Sequence, residues 1–514
     1  MPKTWLPDPS HYPEQMSPLS ATVWFEAVGV GLHEAMRELR GPFGGFEART
    51  EMGWAYEGNR DIDWEPADGS LLTAALGLRE RWTNELAPRS HDITAELRTL
   101  RPEAPHPDGA VALMDRFWSL VLEQWTIHFL AVIPAQVGIE MLSDAYAKAF
   151  PDEGSLAAYR LLDVLPNETT GADHELWRLA QRVRELGVED VLREYPVDLV
   201  CERLSQLGNG RLFLHELSAY LLRYGGRARW HELSLPREAE RPQITLESIR
   251  LFLESGSSPD VGVAEDIDRM KAEKVASAPA LRDVLPVASF AYVLKEDHVY
   301  HIDYPGLLAT REVLLGFGRR LAAEGRLREP DDVWMLRRTE VRSALDDGNA
   351  VTAFDLDELV AKRRRELAKG RREGPRAYLG DPPADEERHA VLEKFYGPGA
   401  MGPASGAIRG TGASAGTAEG TARVVGGPED FRRIIAGDVL IAATTTPAWT
   451  PLFPSLAALV TETGGVLSHA AIVAREYGLP AVVGAQGAMT SIPDGVRVRV
   501  NGLSGVVQIL GQPD

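Results

Sequence analysis

Near Tyr396 the hydrophobic pattern of this 514-residue chain changes its period, and that change limits what the chain can build. Before it, apolar residues recur at three- and four-residue steps through 20–39, 71–100, 110–133, 176–192, 307–324 and 353–369. That spacing lines one face of a helix. After it, short β-branched runs at 421–425, 439–442, 459–461, 481–483, 496–500 and 506–510 alternate with glycine turns and two short helical stretches. The tract between them is dominated by Gly, Pro and Ala and carries no periodic pattern, which marks a linker. The expected architecture is multi-domain: a large, mainly α-helical region over 1–395, a linker over 396–409 and a compact α/β domain over 410–512.

Charge narrows the partners. The formal net charge is −20, and from Ser405 onward seven Arg, no Lys and eight acids nearly cancel. The negative excess therefore lies in the first 404 residues, where it opposes binding to a nucleic-acid backbone. A single cysteine, Cys201, excludes an internal disulfide. The first residues lack the apolar core of a signal peptide. The most apolar helical stretch, 129–142, contains Pro134, Gln136 and Glu140 and is short for a bilayer. A cytoplasmic protein without membrane association is expected. The basic tract 362–376 reads as a solvated helix face leading into the linker.

The most informative segment is VTETGGVLSHAAIVAREYGLPAVVG, Val460 to Gly484. A strand ends at Thr461, Gly464 and Gly465 turn the backbone, and Ser468 caps a helix whose first turn holds His469. Gly478 and Pro480 stop that helix. An imidazole so placed is a nucleophile at the positive end of a helix dipole, and an anion attached to it is stabilised there.

This segment resembles the phosphohistidine signature of the swivelling domain in phosphoenolpyruvate-utilising enzymes. The flanking GTGASAGTAEGTARVV (410–425) and TTTPAWTPLFPSLAALVTE (444–462) resemble the same domain. The resemblance implies a C-terminal α/β swivelling phosphohistidine domain of a dikinase-type phosphotransferase. In it His469 carries the phosphoryl group, and Thr461, Gly464, Gly465 and Ser468 shape its site. Asn501, in VNGLSG, departs from the Asp usual in relatives.

The helical region shows no glycine-rich phosphate loop with a nearby Lys, and it reads as the acceptor-binding half. Together the halves resemble the histidine-bearing subunit of the phenylphosphate synthase group, which includes enzymes that phosphorylate p-cresol. More distantly the helical half resembles rifampicin phosphotransferase, through PEQMSPLSATVWF (13–25), YGGRARWHELSLPREAERP (224–242) and KEDHVYHIDYPG (295–306). The resemblance implies a separate ATP-grasp subunit that uses ATP and Mg²⁺, and a hydroxyl acceptor of phenolic type. Phosphoryl transfer to a hydroxyl needs a base and cations. Glu296, Asp297, His298 and His231 are the candidate bases. Arg227, Arg229 and Lys295 are the candidate phosphoryl-binding cations, and Tyr300 and Asp303 complete the polar set. Antibiotic-phosphorylating relatives pair Arg-Glu with a Lys three residues later. This chain has Lys295-Glu296 and Val299, which points away from a rifamycin. No metal site is expected, because His298 and His301 lack an evident third ligand.

Overall fold

A computed structural model describes residues 4–7, 12, 14–153, 157–163, 165–227, 232–256, 258, 264–346, 353–381, 408–445, 447–466 and 468–511. The expected linker lies outside the described residues except for its last two, Ile408–Arg409, which form a strand. Two compact units result. One comprises 1–139, 230–236 and 290–383, the other 140–229, 237–289 and 384–514. The helices between 140 and 289 therefore group with the C-terminal sheet.

The first unit is mainly helical, as its periodicity predicts. The 20–39 pattern becomes Pro18–Thr22, a π-helical stretch Val23–Val28, and Gly29–Glu38. The 71–100 pattern becomes Ser70–Arg81, a π-helical Trp82–Leu86, and Ala87–Thr99. A small antiparallel sheet was not expected. Its strands run in the order Phe46–Glu51, Trp54–Asn59, Thr4–Pro7, Leu379–Gly380. The hairpin turns through Met52 and Gly53, both at positive φ (50° and 85°). That is the geometry a two-residue turn needs to match strand twist. Trp5, Tyr56 and Leu379 form its core.

The expected helix 110–133 runs much further, from Gly109 to Ala149, straight through Pro134. The interruption read at Pro134 does not occur, and by length and composition this helix is long and apolar enough to cross a membrane. Its inner face, including Leu113, Phe117, Leu120, Ala131, Ala135, Ile139 and Leu142, is buried in protein.

In the second unit the C-terminal sheet has eight strands: Ile408–Arg409, Val506–Gly511, Arg497–Asn501, Thr417–Val424, Val439–Ala442, Ala458–Thr461, Ala481–Val483 and Thr411–Ser414 in spatial order. The four strands from Thr417 to Val483 run parallel. Val439–Ala442 and Ala458–Thr461 are buried along their whole length, as strands covered on both faces must be. Leu440, Ala442 and Leu459 face one core; Val439, Ile441, Ala458 and Val460 face the other.

The outermost strands, 408–409 and 411–414, are neighbours in sequence, so the sheet rolls until its ends meet at Gly410. Gly410 N donates to Gly505 O at 2.9 Å. A Cβ on Gly502 would lie 1.9 Å from Ser414 O, so only glycine fits that closure. Asn501 Oδ1 accepts from Leu503 N and Ser504 N at 3.1 and 2.9 Å. An Asp there would offer the same acceptor, so the departure at 501 leaves the turn intact.

Candidate active site

Parallel strands need crossovers, and ligands of such sheets gather at the strands' carboxyl ends. Strand Val439–Ala442 leads into the 3-10 segment Pro447–Ser455, and strand Ala458–Thr461 leads into helix His469–Glu476. These two exits meet. Thr450 Oγ1, fully buried, lies 3.5 Å from His469 Nε2, and the histidine itself is half-buried.

The turn before His469 is pinned at both ends. Thr461 Oγ1 donates to Thr463 O at 2.7 Å, and Thr463 N and Oγ1 donate to Ala443 O at 3.0 and 2.9 Å. Arg475 Nη1, one face of the helix further on, donates to Val466 O at 2.8 Å and Ala413 O at 3.0 Å. Gly464 sits at φ +105°, and a Cβ there would come within 2.8 Å of Ser468 Oγ. Gly465 O accepts from Ser468 N at 3.0 Å.

Ser468 caps the helix as expected. Its extended backbone (φ −72°, ψ 158°) leaves Oγ to accept from Ala471 N. One of the orphan N–H groups of the first turn is thereby satisfied, and the donors ahead of it stay directed beside the imidazole. His469 is the first helical residue.

The first unit holds a second cluster, and a π turn builds it. Val299–Asp303 is π-helical, with Tyr304 N bonded to Val299 O. Residues five apart, which an α-helix would place about 140° around its axis, come onto one face. His298 Nε2 thus lies 3.7 Å from Asp303 Oδ2. Asp303 Oδ1 meets His128 Nδ1 at 2.7 Å, and the two imidazoles are 4.9 Å apart centre to centre. Burial pulls the His298 pKa down to about 4, against the opposing pull of Asp303. Gln124 Nε2 reaches from the long helix to Ile302 O (3.0 Å) and Ser90 Oγ (2.9 Å), fastening the π turn.

Aromatic rings adjoin this cluster. Trp125 lies 5.0 Å and Phe129 4.7 Å from the His128 ring, Trp24 packs on Trp125 at 4.9 Å, and Tyr12 packs on Trp24 and Phe25. Close by in sequence, Glu232 gathers Ser17 N, Ser17 Oγ, Ser20 Oγ and Ser234 N at 2.9, 2.7, 2.6 and 2.8 Å. The PEQMSPLSATVWF segment is thereby tied to the HELS stretch that begins at His231.

The remaining expected residues scatter. Lys295 and Asp297 are half-buried and Glu296 is buried on helix Leu281–His298; Tyr300 is buried in the π turn. Arg227 belongs to the second unit. It is 2 % exposed and engaged with Glu238 and the Tyr220 hydroxyl. There it is part of a buried ion pair. Arg229 and His231 lie outside the described residues. His128 was missed: a histidine in WTIHFL reads as an apolar-face residue, and only the i, i+3, i+4 spacing of Trp125, His128 and Phe129 hints at a shared face.

Two known families match parts of the chain. Residues 434–505, which include His469, match the mobile domain of PEP-utilising enzymes. Residues 128–294 match the fourth domain of rifampicin phosphotransferase. Chondramide synthase of Chondromyces crocatus is 29 % identical over 98 % of this chain and 14 % of its own length. An uncharacterized phosphotransferase of Bacillus subtilis is 28 % identical over 99 % of this chain and 62 % of its own. Rifampicin phosphotransferase of Streptomyces sviceus is 30 % identical over 63 % of this chain and 39 % of its own. The chain thus spans less than two thirds of the length of these curated relatives.

Proposed function

For a chain that carries the mobile domain of PEP-utilising enzymes and a stretch matching the fourth domain of rifampicin phosphotransferase, we propose a phosphotransferase that works through phosphorylated His469. The supporting observation is the seat of the imidazole: first residue of a serine-capped helix, at the carboxyl ends of two adjacent parallel strands, beside a buried threonine. A phosphoryl group on that ring would face helix N–H donors, which balance its charge without side-chain cations.

The loading step is assigned to a separate ATP-grasp subunit, which brings ATP and Mg²⁺. The unloading step is assigned to a hydroxyl acceptor held by the helical region. The aromatic group of Tyr12, Trp24, Phe25, Trp125 and Phe129 favours a flat ring, so the acceptor is a phenol such as p-cresol and the product an aryl phosphate. The rifampicin phosphotransferases among the relatives support a second reading, an antibiotic hydroxyl. Val299, where the resemblance drawn from the sequence implies Lys, weighs against it.

The test loads the protein chemically with phosphoramidate, which phosphorylates accessible imidazoles, and offers phenols, aliphatic alcohols and a rifamycin in parallel. Discharge to phenols, read by phosphorus NMR, is expected. A phosphorylated protein that none of these acceptors discharges would make it a carrier without small-molecule turnover.

A further inference from the structure

The proposed transfer leaves the acceptor's proton unassigned. A carboxylate can only accept hydrogen bonds, so the 2.7 Å contact to Asp303 places the proton of His128 on Nδ1. In the neutral imidazole Nε2 then keeps its lone pair. His298, 3.7 Å from the other Asp303 oxygen, is too far to compete for the carboxylate with a hydrogen bond of its own. It packs edge-on against the His128 ring and limits how that ring can turn. Trp125 and Phe129, on the same helix face, flank the imidazole. His128 and Asp303 each keep 13 % of their side-chain surface exposed, so the pair is reachable at its edge.

The two histidines and the aspartate place candidate ligand atoms within 4.8 Å of one another, the composition of a divalent-metal site. The spacing argues for a hydrogen-bonded pair instead. Ligand atoms about a tetrahedral zinc stand roughly 3.3 Å apart, whereas Nδ1 and Oδ1 are at hydrogen-bond distance.

We infer that His128 is the general base for the acceptor hydroxyl, with Asp303 as its positioning residue and an aromatic alcohol as the substrate class. This rests on the phosphotransferase reading of His469. In the step, the acceptor oxygen attacks phosphorus and a P–O bond forms. The P–N bond to His469 breaks with its electron pair returning to that ring, and the hydroxyl proton passes to His128 Nε2. Asp303 then faces the imidazolium that results, as in other carboxylate-imidazole pairs. His298 stays neutral beside them, because burial has made it too weak a base for the task.

The test uses the full chain loaded with phosphoramidate, in wild-type form and as His128→Asn, whose amide keeps a donor toward Asp303 but has no base. Two acceptors are compared: p-cresol, protonated at neutral pH, and a nitrophenol already ionised under the assay conditions. The variant should lose about a hundredfold or more in transfer to p-cresol and less than tenfold with the ionised phenol. Near-normal transfer to the nitrophenol also shows that the variant is folded. Equal losses with both acceptors would overturn the assignment and leave His128 a structural role, and so would no loss with either. If loaded wild-type protein discharges to no hydroxyl compound, the phosphotransferase reading itself fails, a result separable from either outcome.

Discussion

Glu232 takes four hydrogen bonds from two segments more than two hundred residues apart, and its carboxylate helps to tie them together. Replacing it with alanine strands two serine hydroxyls and two backbone N–H groups. Glu232→Ala should cost about 3 kcal/mol, measured as a drop in the urea midpoint, while phosphorylation of His469 is retained. Gly464 is the opposite kind of residue, needed for what it lacks. At φ +105° an alanine would be strained and its Cβ would press on the capping hydroxyl of Ser468. Gly464→Ala should cost about 1–3 kcal/mol locally and slow phosphoramidate loading several-fold; unchanged loading would show that the turn does not set the imidazole. Among single residues the sequence was most legible here. Gly464, Ser468 and His469 announce themselves through local chemistry, cap and turn, that acts within one segment. His128 does not, because its meaning comes from Asp303, 175 positions away.

At the scale of elements, the long helical patterns and the six strand runs appear close to where the periodicity puts them, since burial of one face or two dictates both periods. The π turns left no trace in that pattern. Each adds one residue to a helical turn, which rotates the later residues about the axis without disturbing the apolar repeat enough to be read. The turn at Val299–Asp303 decides that Asp303 faces His298 and His128. Deleting Val299 should close it into an ordinary α turn in which His298 and Asp303, now four apart, still share one face. The expected outcome is a protein with near-normal helical circular dichroism, normal His469 loading and transfer to p-cresol within about tenfold of wild type; a larger loss would contradict this reading of the turn. The Phe46–Asn59 hairpin was also missed, because its outer strand is only half-buried and its turn, Met-Gly, lacks the usual Asn or Asp.

Across the whole molecule, composition separated a mainly helical region from a C-terminal sheet region but not the grouping of the helices, which depends on contacts between distant segments. In the second unit, helix His469–Glu476 and the tyrosine after it are anchored by two buried acids. Tyr477 donates to Asp173 at 2.8 Å, and Arg475 lies 3.5 Å from Asp163. Burial raises the Asp173 carboxyl to about 7 and that of Asp163 to about 6, outweighing the nearby cations. Between roughly pH 4 and 7 the unfolded chain has released protons that the folded unit still holds, so stability falls as pH rises through that window and levels off above it. Asp173→Asn should flatten this decline and raise the melting temperature near about pH 8; a parallel decline in the variant would contradict the assignment. The central claim concerns His469, and it is tested most directly by loading wild-type and His469→Ala protein with phosphoramidate and following acid-labile, base-stable phosphate by phosphorus NMR as p-cresol is added. Wild-type protein should show one phosphohistidine signal that decays as aryl phosphate appears, and the variant neither; aryl phosphate formed at the wild-type rate by His469→Ala would contradict the account.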